Sequence, residues 1–260
     1  MKELGRTRLL LAGAVVVAIS LVSACTTAPP PPPPASAPKY VSRPYPPMGA
    51  APNLTIPPTG VDGTRLTINR ALSVRQAVWN LRSAYNVAAL NCTKPQYAPI
   101  LTNYGDFLKK HEKALRSINS ALDQDFKAQF GSGYIAKREN FQTQVYNYFA
   151  LPAVIPALCD TTLAMGPELG AIAPGQLELY APSSLAKLET VYLDFFDRYD
   201  LYRRDFVQWQ IDYETKYGSP PPAGYYLPGE PRYQTQTTSF APASTTVAEP
   251  ALSLPTGTAQ

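Results

Sequence analysis

Residues 183–213, with the sequence SSLAKLETVYLDFFDRYDLYRRDFVQWQIDY, carry the strongest structural pattern in the chain. Large apolar and aromatic side chains recur there at alternating intervals of three and four residues, at Leu185, Leu188, Tyr192, Phe195, Tyr199, Tyr202, Phe206, Trp209 and Tyr213. This spacing keeps one face of an α-helix apolar for four heptads. It therefore predicts one long amphipathic helix that begins at Ser183 or Ser184.

The two faces of this helix have different expected roles. An aromatic stripe is usually the core of a helical bundle or a docking seam for neighbouring helices, and a cofactor or glycan surface is the alternative. The candidate interaction residues on the stripe are Tyr192, Tyr199, Tyr202 and Trp209. The outer face, which is typical of a solvated surface with local ion pairs, carries Glu189, Asp194, Asp197, Asp200, Arg198, Arg203 and Arg204.

Three further helical stretches precede the long one, at about residues 73–91, 96–130 and 135–149. Ser73 and Gln76 form a capping box that starts the first of them. Pro99 suits the first turn of the second, and Gly131-Ser132-Gly133 ends it. Because proline breaks or kinks helices, Pro152 and Pro156 predict a break before a short segment around Cys159. Residues 165–182 are rich in glycine and proline and predict an irregular connection.

Proline usage divides the chain into domains. Of the 28 prolines, 13 lie in residues 26–60, 7 in residues 61–217 and 8 in residues 218–260. The expected fold is all-α, an irregular or antiparallel bundle of about four main helices within residues 61–217. Residues 25–60 are expected to form a proline-rich tether and residues 218–260 a disordered tail.

The beginning of the chain has the composition of an export signal. Lys2, Arg6 and Arg8 precede an apolar run over residues 9–22, followed by small residues. Leu21-Val22-Ser23-Ala24-Cys25 resembles the bacterial lipobox, in which the cysteine is acylated and the leader is cut before it. The resemblance implies a signal peptide at residues 1–24 and a lipoprotein that begins at Cys25.

The residue after the lipobox cysteine bears on localisation. Thr26 stands where an inner-membrane retention signal would have aspartate, so the resemblance implies the outer membrane, with the body facing the periplasm unless it is flipped outward to the cell surface. The alternatives are an uncut membrane anchor, or cleavage by ordinary signal peptidase with Cys25 unmodified. Fourteen apolar residues, however, fall short of the roughly 20 that a membrane-spanning helix needs.

The other two cysteines, Cys92 and Cys159, remain as an even pair if Cys25 is lipidated. In an oxidising compartment such a pair is expected to form a disulfide, and two buried free thiols are the alternative. Their spacing is unlike that of metal-binding motifs, and no metal or cofactor is expected.

Catalytic and nucleic-acid-binding functions find little support in the sequence. The only histidine, His111, lies between Leu108 and Leu115 on an apolar stripe, and a buried structural histidine is the expected reading. Asp194 and Asp197 lie one helical turn apart but have the surroundings of surface acids. The leader supplies +2 of the +4 net charge, so the basic composition is no indication of nucleic-acid binding.

Three short strings resemble a group of uncharacterised exported helical proteins of alphaproteobacteria. They span residues 69–73, 79–82 and 86–92, and the likeness continues through Tyr146-Asn147-Tyr148-Phe149 to Cys159. The resemblance implies a secreted helical body with a linked cysteine pair and brings no known activity. Its polar residues are the first candidates for a site, namely Asn69, Arg70, Arg82, Asn86 and Asn147. The alternative is that they cap helices or satisfy buried backbone groups.

The expected function is therefore a non-enzymatic lipoprotein of the cell envelope. It would contact the membrane through the acylated Cys25 and bind another envelope protein or the cell wall through its helical domain. A carrier or sensor of a small apolar or aromatic ligand is the alternative, and an envelope enzyme of unknown reaction comes third.

Overall fold

The computed structural model describes residues 42–232, and the all-α prediction is confirmed within this range. The six α-helices of the described residues are α1 (Val74–Asn91), α2 (Ala98–Lys110), α3 (Glu112–Phe130), α4 (Tyr134–Phe149), α5 (Ile155–Ala171) and α6 (Leu177–Tyr217). The signal peptide, Cys25, the tether up to residue 41 and the tail from residue 233 lie outside the described residues.

Several helix boundaries follow the local sequence signals. The Ser73 side chain accepts from the Gln76 amide and the Gln76 side chain accepts from the Ser73 amide, so the predicted capping box starts α1. Pro99 lies in the first turn of α2, where its missing N–H removes no helical bond. Gly131, with φ of +59°, ends α3 in a conformation that glycine adopts easily.

The predicted second helix is two helices in the structure. His111 has φ of −107° and ψ of 13°, which ends α2 and lets α3 begin at Glu112. The apolar stripe continues across this break, because Phe107, His111 and Ile118 are all buried. The prediction of one helix over residues 96–130 was wrong because the break does not interrupt the spacing of buried side chains.

The irregular connection predicted for residues 165–182 was also wrong, since most of it is helical. Pro167 lies inside α5 and Pro182 inside α6, and only residues 172–176 separate the two helices. Each proline removes one backbone hydrogen bond, yet buried neighbours such as Leu169, Ala181 and Leu185 anchor the surrounding turns. Packing of these apolar side chains therefore outweighs the local penalty of proline.

A disulfide joins Cys92, directly after α1, to Cys159 in the first half of α5, with a Cα–Cα distance of 5.6 Å. The predicted pairing is thus present. The two residues are 67 positions apart, and the chain-entropy model gives a loop of that length about 4 kcal/mol of stabilisation. The bond fixes α5 against the end of α1 near the middle of the core.

Helix α6 is the longest element, and it packs mainly against α1 and α5. Its 41 residues correspond to a length of about 60 Å. The first half of α6 packs against α1 and α5, with Leu188, Tyr192 and Phe195 in the core. The second half carries the remainder of the aromatic stripe.

Residues from both ends of the described chain cover the second half of α6. Leu54 and Ile56 pack into the core from the N-terminal side, and Tyr226 packs against Phe206 and Trp209 from the C-terminal side. The structure therefore differs from the predicted tether and tail at residues 42–60 and 218–232. These residues are held because the aromatic stripe offers them an apolar surface to bury.

Candidate functional site

The predicted interaction residues of the α6 stripe are buried inside the molecule. Tyr192, Tyr199, Tyr202 and Trp209 are each at most 5 % exposed. The Tyr192 hydroxyl donates to the Phe149 carbonyl at 2.7 Å, and the Tyr199 hydroxyl donates to the Ala51 carbonyl at 2.7 Å. These side chains hold the chain's own segments, so their expected role in contacting a partner is corrected to core packing.

A buried carboxylate lies where residues 42–73, which we name the N-terminal segment, meet α6. Glu189 accepts hydrogen bonds from the Thr67 hydroxyl at 2.6 Å and from the Asn69 side-chain amide. The Asn80 amide donates in turn to the Asn69 side-chain oxygen at 2.8 Å. The predicted site residue Asn69 is thus the centre of a buried polar cluster that links the N-terminal segment, α1 and α6.

Burial dominates the electrostatics of this cluster. Desolvation raises the pKa of Glu189, and the hydrogen bonds from Thr67 and Asn69 only partly oppose it. Burial likewise raises the pKa of Tyr148, which lies beside Glu189. The prediction that Glu189 belongs to a solvated face was therefore wrong. Glu189 follows Leu185 by four residues and precedes Tyr192 by three, which is the spacing that could have identified it.

A pocket of about 330 Å³ adjoins the buried polar cluster, and Thr67, Asn69 and Glu189 are among the residues that line it. Arg65 lines it and pairs with Asp197 at 2.7 Å and Asp200 at 2.8 Å. The predicted site residue Arg70 lies at its rim, where its guanidinium pairs with Asp62 at 2.6 Å. Both arginines of the pocket are thus engaged in ion pairs within the protein.

A larger groove of about 600 Å³ lies between α1 and the α2–α3 pair, and we name it the Trp79 groove. It is lined by Val78, Trp79, Arg82, Leu108, Glu112, Leu115, Arg116, Ile118, Asn119 and Ser120. The guanidinium carbons of Arg82 and Arg138 lie 5.5 Å and 5.8 Å from the centre of the Trp79 ring. The predicted site residue Arg82 is thus part of a mixed apolar and cationic surface.

The two remaining predicted site residues lie outside these sites. Asn86 is half-buried on α1, and its side chain lies beside the Tyr104 hydroxyl. Asn147 is exposed on α4. The structure therefore brings Asn69 and Arg70 to one pocket, places Arg82 in another, and leaves Asn86 and Asn147 apart from both.

A cluster of tyrosines at the far end of α6 was missed by the sequence analysis. Tyr45, Tyr217 and Tyr225 are 66 %, 47 % and 51 % exposed, although their rings are large and mostly apolar. The Tyr213 ring centre lies 4.5 Å from that of Tyr217 and 5.8 Å from that of Tyr225. We name Tyr45, Tyr213, Tyr217 and Tyr225 the tyrosine tip.

Arg43 connects Tyr45 to the rest of the tyrosine tip. Its guanidinium carbon lies 4.4 Å from the Tyr45 ring centre, and its Nε donates to the Tyr225 carbonyl at 2.7 Å. The residues that form the tip come from both ends of the described chain as well as from α6. Tertiary contact assembles them, so no local pattern in the sequence indicates the tip.

His111 is buried at the α2–α3 junction, as the sequence predicted for a structural histidine, and is 2 % exposed. Burial, assisted by the charge of Lys110, lowers the pKa of its imidazole. Neither ring nitrogen has a hydrogen-bond partner among the described residues. A neutral imidazole that packs against Phe107, with ring centres 4.9 Å apart, accounts for this environment.

Residues 42–232 contain no group of three or more His, Cys, Asp or Glu side chains that could hold a metal ion. Over the same range, no helix combines the length and the apolar character needed to cross a membrane. Comparison of the chain with protein-family models, with curated proteins and with solved structures finds no match.

Proposed function

We propose that this protein is a non-enzymatic lipoprotein of the bacterial cell envelope. In this proposal Cys25 is acylated and anchored in the outer membrane, and the helical domain in the periplasm binds an envelope protein or the cell wall. The observation that carries the proposal is the tyrosine tip, an exposed group of aromatic side chains on an otherwise well-packed body.

Exposed tyrosines are suited to binding. Tyrosine combines a large apolar ring with a polar hydroxyl and loses little conformational entropy when it is fixed, so it is enriched at protein interfaces. The aromatic faces of Tyr45, Tyr217 and Tyr225 can pack against an apolar protein surface or against the ring faces of a wall polysaccharide. Arg43 packs against the Tyr45 ring and holds it in place.

The position of the tip fits an anchor at Cys25. Seventeen residues separate Cys25 from Arg43, and at about 3.1 Å per residue they reach at most on the order of 50 Å. Because Arg43 contacts Tyr45 and Tyr225 of the tip, an acylated Cys25 would keep the tip within about that distance of the membrane. The expected partner is therefore an envelope component close to the membrane surface.

The test is photo-cross-linking in intact cells. A photoreactive phenylalanine analogue replaces Tyr225 in one strain and Leu179 in a control strain. Leu179 is 72 % exposed and lies in the first turn of α6, about 55 Å along the helix from Tyr217. We expect one dominant adduct from position 225, none from position 179, and loss of the adduct when Cys25→Ala releases the body from the membrane.

Two outcomes would contradict the proposal. If Cys25→Ala leaves the protein in the membrane fraction, the lipid anchor is wrong. If positions 225 and 179 give the same diffuse pattern of adducts, the tyrosine tip is not a binding surface, even where the anchor is present.

A second candidate function is a carrier or sensor of a small ligand, and the Trp79 groove favours it. Its volume of about 600 Å³ lies within the range of roughly 300–1,000 Å³ that is typical of small-molecule sites. Apolar side chains from three helices line the groove beside polar groups, which is the usual composition of such sites.

A further inference from the structure

The Trp79 groove has an apolar floor and a rim with a single uncompensated charge. Leu108, Leu115 and Ile118 line the floor together with the Trp79 ring. On the rim, Glu112 accepts from Arg116 at 2.5 Å, so this acid and this base neutralise each other. The remaining charged group that lines the groove is Arg82.

Arg82 differs from the other shielded arginines of the described residues. Arg43, Arg65, Arg82 and Arg138 are the four that are buried or half-buried. Arg43 pairs with Glu230, Arg65 with Asp197 and Asp200, and Arg138 with Asp123 at 3.0 Å. Within residues 42–232, Arg82 alone of the four has no carboxylate partner, and its one hydrogen bond is to the Tyr146 hydroxyl at 2.7 Å.

The described side chains next to Arg82 supply hydrogen-bond donors, and none of them is a carboxylate that pairs with it. The indole Nε1 of Trp79 is buried without a hydrogen-bond partner among the described residues, and the Tyr104 hydroxyl lies near Arg82 and beside the Asn86 side chain. Tyr146 is already engaged with Arg82. A half-buried guanidinium among donor groups is best satisfied by an anion, since charge-assisted hydrogen bonds are the strong ones.

We propose that the Trp79 groove binds a small amphiphile whose anionic head, a carboxylate or a phosphate, pairs with Arg82 and whose apolar chain lies along Leu108, Leu115 and Ile118. This inference rests on the second candidate function and is independent of the tyrosine tip. The size of the groove favours a small molecule, because a specific protein partner covers about 800 Å² of surface and would extend well beyond these residues.

The test is calorimetric titration of the mature chain, Cys25 to Gln260, produced without acylation and with its disulfide intact. The probes are decanoate, decyl phosphate, decanol and inorganic phosphate. We expect decanoate or decyl phosphate to bind about tenfold more tightly than decanol. Comparison of the two anions distinguishes a carboxylate from a phosphate head, and weak binding of inorganic phosphate shows that the chain is needed.

Two arginine variants on the same helix separate the specific effect from general charge. Arg82→Gln should weaken binding of the preferred anion about tenfold, the loss of one charge-assisted contact, and should leave decanol binding unchanged. Arg75→Gln is the matched control, because Arg75 also lies on α1 but is exposed and pairs with Asp125 outside the groove. It should bind the anion as the native chain does.

A third variant keeps the proposal testable if Arg82→Gln does not fold. Leu115→Glu places a carboxylate in the groove, where it competes for Arg82, and should abolish anion binding. The proposal fails if no probe binds, if decanol binds as well as the anions, or if Arg75→Gln is as damaging as Arg82→Gln. It also fails if a photo-cross-linker at position 115 captures a protein while no amphiphile binds. None of these outcomes bears on the anchor or on position 225.

Discussion

Glu189 carries an ionisable carboxyl group, yet its side chain is buried among apolar residues. Its carboxylate is buried on the apolar side of α6 and depends on Thr67 and Asn69 for hydrogen bonds. Because ionisation in this environment is costly, the native state binds a proton at Glu189 more tightly than the unfolded chain does. The stability of the protein should therefore depend on pH in part through this side chain.

Glu189→Gln should flatten that dependence. A raised pKa contributes stability that is complete below the ordinary carboxyl value of 4.5 and is lost as the pH rises through the raised value. The native chain should thus lose stability relative to Glu189→Gln as the pH rises above 4.5, as measured by urea unfolding at a series of pH values. Glu178→Gln, at an exposed position of the same helix, should behave as the native chain does. If the free energy of unfolding changes with pH in the same way for Glu189→Gln and the native chain, Glu189 does not contribute to the pH dependence.

At the scale of a single element, α6 depends on its hydroxyl groups to hold the segment that covers it. The Tyr199 hydroxyl donates to the Ala51 carbonyl and accepts from the Leu54 amide at 2.9 Å. One side chain thus satisfies two backbone groups of a segment that has no regular secondary structure at that point. Such a segment has few other partners for its backbone, so its order depends on this contact.

Tyr199→Phe should open the segment locally. Loss of the hydroxyl leaves the Ala51 carbonyl and the Leu54 amide with only the long turn hydrogen bond of 3.3 Å between them, at a cost of about 1 kcal/mol. Hydrogen exchange at the Leu54 amide should accelerate accordingly, while amides in α1 exchange at the native rate. Tyr217→Phe is the control, since that tyrosine is exposed. Equal acceleration by both variants would show that the hydrogen bonds of Tyr199 do not hold the segment.

The helix boundaries show which features of the fold could be predicted from local sequence signals and which could not. The capping box at Ser73, the end of α3 at Gly131 and the apolar stripe of α6 are local signals, and each was read correctly. The break at His111 leaves the spacing of buried side chains unchanged, and the helical surroundings of Pro167 and Pro182 depend on packing against distant residues. Local propensity therefore misplaces them, since tertiary contacts outweigh it.

At the scale of the whole molecule, the two ends of the described chain meet at one buried ion pair. Arg43 donates to the Glu230 carboxylate, and their side chains are 9 % and 0 % exposed. The Tyr202 hydroxyl donates to the same carboxylate at 2.8 Å, and the Leu227 amide donates to it at 2.6 Å. This ion pair fastens both terminal segments to α6.

Arg43→Gln should release both segments together. Removal of one partner leaves Glu230 as an uncompensated buried charge, which typically costs about 3–5 kcal/mol. Limited proteolysis should then cut within residues 43–56 and 225–230, while the disulfide-linked bundle stays intact. The double variant with Glu230→Gln should recover part of the protection, because neither charge is left buried.

A matched surface variant completes this test. Arg198→Gln removes an arginine that pairs with Asp194 at 2.7 Å on the exposed face of α6, and it should cost less than about 1 kcal/mol. If it exposes the terminal segments to protease as Arg43→Gln does, the buried pair is not what holds them.

The candidate sites were predictable only in part, because contacts between residues distant in sequence form some of them. Asn69, Arg70 and Arg82 were singled out from the sequence, and each lies at a pocket or groove. The tyrosine tip and the packing of residues 42–60 were not foreseen. The composition of residues 42–60 favours an extended chain, and these residues pack only because a distant helix supplies an apolar surface for them.

The course of the N-terminal segment along α6 has a mechanical consequence. The segment begins beside Phe206, contacts Tyr199 at Leu54 and reaches Glu189 at Thr67, so it runs opposite in direction to the helix. A pull applied through residue 42 therefore peels the segment from its outer end, one contact after another. The 25 residues from Arg43 to Thr67 can yield in this way, lengthening the connection by tens of ångströms, before any load reaches the bundle that the Cys92–Cys159 disulfide locks.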